Sequence, residues 1–247
     1  MKAQKRRKLP RSILAAVLAA FCFLSGVPAH AAVGCTLTTP AQDLKYLFPE
    51  MTTYREELRE LNRMKDGKEL HKALQERLGS DLDPVYETYE TPYTVYTVFK
   101  GKEIIGIVHG VNVPGQGGLI QVFLSTDPQT GAIRQMFFQR LESTAARMLR
   151  GKSFVEQFSA LTLADFYKHD YYRIADPKSE QDKVARIKSP VTDERGMKDY
   201  EASLRGVRKN LILQDIFIYN RKFEPFYQRT QEALGKSKKS RIKGEST

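Results

Sequence analysis

The sequence predicts an α+β fold: a twisted antiparallel sheet with helices packed on it, built as a single domain behind an N-terminal export signal. Three observations lead there. Between residues 91 and 138, four runs rich in β-branched and aromatic residues are separated by turn signals about a dozen residues apart. The segments on either side place apolar residues at helical spacing. No Gly/Ser-rich linker divides the body, and 247 residues at 41% hydrophobic suffice for one sizeable core.

The chain opens with an export signal over residues 1–31. Lys2, Lys5, Arg6, Arg7, Lys8 and Arg11 precede an apolar run from Ile13 to Leu24, and Ala29-His30-Ala31 fits a small-residue cleavage site. The run is near a dozen residues, short of the roughly twenty needed to cross a bilayer. Cys22 lies inside it, so cleavage leaves Cys35 without an intramolecular disulfide partner. A lone cysteine early in an exported chain, preceded by Gly34, also fits a lipid-anchor acceptor, although Ala32 stands where leucine is favoured. Cleavage after Ala31, acylation at Cys35 and an uncleaved helical anchor therefore all stay open. Residues 32–40 read as a polar tether.

The folded body is expected over residues 41–233. Residues 41–79 read as helical, with Leu70, Leu74 and Leu78 four apart and Gly79 as a stop. Tyr93–Phe99 is the first strand, and Lys100-Gly101-Lys102 is its hairpin turn. Ile104–Val108, Leu119–Leu124 and Ile133–Phe138 follow, the last two separated by the turn Asp127–Gly131. Ser143–Leu163 reads as a second helical region with a break at Gly151, residues 176–195 as a long loop, and Met197–Leu213 as a third helix. Ile216, Ile218 and Tyr219 extend that helix or form a closing strand. Residues 234–247 form a basic tail, expected to be disordered.

The net charge of +11 resembles a nucleic-acid signature, but its distribution argues against one. The leader and the tail, with Lys236, Lys238, Lys239, Arg241 and Lys243, carry most of it and leave a nearly neutral body. That body has no basic face interleaved with aromatics. The 12 tyrosines and 13 phenylalanines read as core rather than as a base-stacking platform. His71, His109 and His169 are scattered without metal-ligand spacing, and Asp165 and His169, four apart, read as a surface pair on one helix face. No G-x-S-x-G or P-loop lysine supplies a hydrolase or nucleotide-hydrolysing centre.

One segment concentrates the remaining chemistry. Pro114-Gly115-Gln116-Gly117-Gly118 interrupts the strands where bare backbone could approach a ligand, although the same string also serves as a plain turn. Lys100-Gly101-Lys102-Glu103-Ile104-Ile105-Gly106 precedes it, Leu119-Ile120 continues it, and Asp127 and Gly131-Ala132-Ile133 follow in register. Leu47-Phe48-Pro49-Glu50 lies upstream and Glu142-Ser143-Thr144-Ala145 downstream. This ordered set resembles the FMN-binding domain of the C subunit of sodium-pumping NADH:quinone oxidoreductase and the G subunit of the Rnf complex, over roughly residues 44 to 213. Glu142, Ser143 and Thr144 stand where such domains carry ETPG.

The resemblance implies an exported, membrane-associated flavoprotein domain of the periplasm or cell-envelope surface. It would carry electrons between redox partner proteins rather than turn over a substrate of its own. The implied cofactor is FMN, with its ring along Gly115, Gln116, Gly117, Gly118, Glu142, Ser143 and Thr144. In many such domains a serine-glycine-alanine-threonine motif esterifies the FMN phosphate through its threonine. Ser189-Pro190-Val191-Thr192 stands in that place here, making Thr192 the implied attachment point and Ser189 the first motif position. Pro190 departs from the motif, fixing φ and deleting an N–H. Without the resemblance, the same residues form a Ser-Pro turn with Thr192 or Asp193 capping a helix. The altered ETPG and SGAT positions keep a second reading open: a flavin-free envelope lipoprotein or assembly scaffold of the same fold.

Overall fold

A computed structural model describes residues 35–244, with side chains described to residue 236. The expected export signal lies outside the described residues. The body is α+β: five strands form one antiparallel sheet in the order β1-β2-β3-β4-β5, with helices packed on it. Strands β2 (Pro92–Lys100), β3 (Glu103–Pro114), β4 (Leu119–Thr126) and β5 (Ile133–Leu141) match the four predicted runs with later ends, most of all β3, which runs on from Val108 to Pro114.

The central strands read as nearly unbroken apolar runs because both faces of the sheet are covered. On one face Val111, Val113, Ile120, Val122 and Leu124 meet the long helix α6 (Glu194–Phe217) in the main core. On the other, Tyr96, Val98, Val108 and Phe123 pack with Cys35, Leu37, Leu44 and Phe48. A register shift at Val98/Phe99 lets Ile105 join this second core, as one extra residue reverses the facing of those after it.

Two expectations for the N-terminal part need correction. Residues 35–40 are not a free tether. Cys35 and Leu37 are buried, Leu37 N–H donates to Tyr96 Oη at 3.0 Å, and Thr38 N–H donates to Gln139 Oε1 at 3.0 Å. Residues 41–79 are not helical throughout. They form α1 (Pro40–Leu47), strand β1 (Thr53–Glu60) and α2 (Gly67–Leu78), which ends at Gly79 as predicted. The strand TYREELRE carries no strand-like composition. It is an edge strand, held by pairing from Thr53↔Phe99 to Glu60↔Pro92, and edge strands keep charge to discourage further pairing.

The second helical region also divides. Ala146–Leu149 (α3) and Lys152–Val155 (α4) flank Gly151, whose extended backbone makes the expected break, and a 3₁₀ turn follows at Glu156–Phe158. Helix α5 (Leu163–Ala175) starts at a capping box between Thr162 and Asp165, a T-x-x-D signal left unused in the sequence. Asp165 and His169 therefore do not pair. His169 Nδ1 meets Asp182 Oδ2 at 2.6 Å, while Asp165 pairs with Lys183 at 3.2 Å. Beyond residue 234, where a disordered tail is expected, helix α7 (Glu224–Gly244) continues.

Helix α6 carries an unusual amount of buried polarity. Asn210 Nδ2 donates to the carbonyls of His109 (2.8 Å) and Val122 (3.2 Å), and Gln214 Nε2 donates to Asn210 Oδ1 (2.9 Å). At its far end Asp215 Oδ2 accepts from Arg77 Nη2 at 2.6 Å, and Arg77 Nε donates to Tyr167 Oη at 2.8 Å, tying α2, α5 and α6 together out of solvent. Gly206 lets the helix close on the Val122 side chain, 2.9 Å from where a Cβ would stand. These contacts fix the height of α6 over β3 and β4, and with it the place of its N-terminal turns.

Candidate functional site at the glycine turn

The β3–β4 turn closes with Gly115 N–H donating to Gly118 O at 2.8 Å, and Gly118 has φ +138°, a region reserved for glycine. What approaches the bare backbone is the protein itself. A Cβ on Gly117 would overlap the Glu142 carbonyl, one on Gly118 the Glu142 carboxylate, and one on Gly115 would sit 2.7 Å from Asp199 Oδ1. The glycines thus admit the end of β5 on one side and helix α6 on the other.

Two carboxylates then cap the turn. Gln116 N–H donates to Asp199 Oδ1 at 2.6 Å, and Leu119 N–H donates to Glu142 Oε2 at 2.9 Å. The Leu119 N–H, then Arg140, which donates through Nε at 2.7 Å, hold the Glu142 carboxyl below its ordinary range. Ser143 Oγ accepts from Ala145 N–H at 3.0 Å and starts the next turn, while Thr144 is exposed.

The other side of the turn faces helix α6 rather than the loop before it. Ser189 Oγ donates to Val191 O at 2.8 Å and lies 3.1 Å from Met197 Sδ, so it faces its own loop rather than the glycine turn. Thr192 is exposed, and Asp193 caps the helix by accepting from Gly196 N–H at 2.8 Å. One turn further on, Arg195 and Asp199 meet the glycine turn. Gln116, Gly117, Thr144, Arg195 and Asp199 line a single cavity of about 250 Å³.

The fold therefore brings together Gly115–Gly118, Glu142, Thr144 and the first turns of α6; Thr192 stands two residues ahead of that helix and is not among the residues that line the cavity. Ser189 and Ser143 are spent on local turns. Arg195 and Asp199 were not evident from the sequence. Their only signal is that Asp199 lies on the helix face shared with Ser203 and Gly206, where buried small and polar residues imply contact with backbone.

Cys35, the candidate lipid-anchor position, is buried in the fold. Its thiol is buried beside Gly110 and Phe123, and desolvation pushes its pKa up to about 12. A lipid on that sulfur would require residues 35–38 to lift off the sheet face on which they pack. Among the described residues there is no cluster of three or more metal-ligating side chains, and no helix is long and apolar enough to cross a membrane. No protein-family model and no curated protein matches this chain in sequence.

Proposed function

We propose that this chain is an FMN-binding domain that carries electrons in the cell envelope, with the flavin phosphate held at Thr192. The observation that carries the reading is the convergence around the 250 Å³ cavity. The glycine turn, Thr144 beyond the end of β5 and the N-terminal turns of α6 are up to about eighty residues apart in sequence, and no local rule requires them to meet.

The residues suit a phosphate-anchored group. Thr192 offers an exposed hydroxyl, Arg195 a cation, and the start of a 24-residue helix a favourable dipole for a dianion. The cavity is below the roughly 300–1,000 Å³ of enclosed ligand sites, so the ring would rest across the turn near Thr144, partly open to solvent and to a redox partner. The flavin supplies the redox chemistry when bound; this chain anchors its phosphate and orients its ring.

The test is co-expression with a flavin transferase, followed by denaturation. Thr192→Ala should abolish flavin that survives denaturation, whereas Ser189→Ala should leave it, because Ser189 faces its own loop. Were attachment non-covalent, Thr192→Ala would lower affinity by about 1.5–3 kcal/mol, one hydrogen bond to a charged group. A second reading, the flavin-free scaffold of this fold, has its own support: Asp199 and Glu142 already occupy the turn's amides. Protein that stays colourless under both conditions would favour it.

A further inference from the structure

The glycine turn has a second side. Gly115 and Gly118 also border a cleft of about 560 Å³, within the range of small-molecule sites, opposite the loop that follows α2. Its walls are largely apolar: Leu82, Pro84, Val113, Pro114 and Leu119, with Tyr86 at the rim. The loop wall is held in place from within. The buried Lys209 ammonium donates to Asp81 O at 2.9 Å, to Asn112 O at 3.2 Å and to the Glu87 carboxylate, using all three of its protons. Asp83 Oδ1 accepts from the Val85 and Tyr86 N–H groups at 2.9 and 3.1 Å, and Thr91 Oγ1 donates to Tyr86 O at 3.0 Å. This fixed loop leaves Tyr86 60% exposed.

The polar groups on the walls define the occupant. Glu87, Asp83 and Lys209 are consumed by the loop itself. Arg205 is not: its guanidinium reaches Pro114 O only at 3.5 Å and Asp81 Oδ1 only at 3.9 Å, with the side chain 51% exposed. Arg205 is therefore available to donate to an acceptor that a ligand brings. The ligand need not bring negative charge, because the lining carries Asp81, Asp83 and Glu87 against Arg205 and Lys209, an excess of one negative charge. We propose that this cleft binds a neutral aromatic carbonyl compound, its ring between Tyr86 and the Val113–Leu119 wall and its carbonyl oxygen accepting from Arg205. The ring gains from burial and from an aromatic neighbour, and the loop needs no reordering to receive it.

The test uses purified flavin-free protein, so its outcome is independent of flavin binding. Three probes of one ring size are compared by calorimetry and saturation-transfer NMR: 2-acetonaphthone, 2-ethylnaphthalene and 2-naphthoate. The ketone should bind most tightly, with the hydrocarbon weaker by roughly tenfold for the lost hydrogen bond and the carboxylate weaker than the ketone. Arg205→Gln should bring the ketone down to the hydrocarbon, and Tyr86→Ala should weaken both alike. Circular dichroism verifies that each variant is folded. No saturable binding of the ketone, equal binding of ketone and hydrocarbon, tighter binding of the carboxylate, or an Arg205→Gln variant that keeps the preference would overturn the proposal.

Discussion

Acidification should unfold this protein in part through one histidine. His109 is 1% exposed in the middle of β3, with Nδ1–H donating to Thr94 O at 2.8 Å and Nε2 buried without a hydrogen-bond partner among the described residues. Burial pushes its pKa down from 6.5 to about 4; the Thr94 carbonyl opposes this, and the Lys209 charge on α6 adds to it. The packed neighbours supply no free carboxylate for an imidazolium: Tyr93 offers a ring at 6.3 Å, and Glu87 is held by Lys209. The sign follows from the lowered pKa. Below pH 6.5 the unfolded chain takes up a proton that the native state refuses until about pH 4. Stability therefore falls across that window, by about 3 kcal/mol in all at roughly 1.4 kcal/mol per pH unit. Urea unfolding of the native protein and of His109→Gln between pH 7 and 4.5 isolates this contribution, because the carboxylates titrate in both. The native protein should lose about 2 kcal/mol more than the variant over that range. Parallel stability curves would refute the reasoning.

Other consequences follow from the same geometry. Arg77→Met leaves the Asp215 carboxylate buried without its partner and should cost about 3–5 kcal/mol in denaturant unfolding, whereas the surface pair Lys72–Glu76 should cost under about 1 kcal/mol. Gly118→Ala places a side chain at φ +138° and against the Glu142 carboxylate, for a loss of roughly 1–3 kcal/mol. Cys35 should resist an aromatic disulfide reagent at pH 8 in the folded protein and react promptly in urea, because its thiol is buried and its pKa is pushed up to about 12.

How much of this was legible in the sequence depends on where the determining forces lie. The strands β2–β5 were readable because β-branched runs and Gly-containing turns are local signals, and the break at Gly151 was readable for the same reason. Strand β1 was not, since TYREELRE becomes a strand only through its ladder to β2. The burial of Cys35 and Leu37 was hidden likewise: a short segment with polar neighbours gives no sign that Gly106 and Gly110 open a groove on the far face of the sheet for it and Phe48. At the candidate site, the glycine turn stands out by its residue types, whereas the loop at Thr192 is marked only by the family resemblance. That Asp199 caps the turn depends on the height of α6 over the sheet, which Gly206 and Asn210 set from within the helix and Arg77 sets from α2. The cleft beside Arg205 was equally invisible, because its walls come from three separate segments.

The central claim is that this fold holds a flavin at the junction of the glycine turn and α6. The absorption spectrum of the protein, purified after co-expression with a flavin transferase in FMN-replete cells, tests it most directly. The account predicts the visible absorption bands of a flavin at about one flavin per chain, lost in Thr192→Ala. Colourless native protein under those conditions would contradict it and leave the turn as an internally capped element of a scaffold.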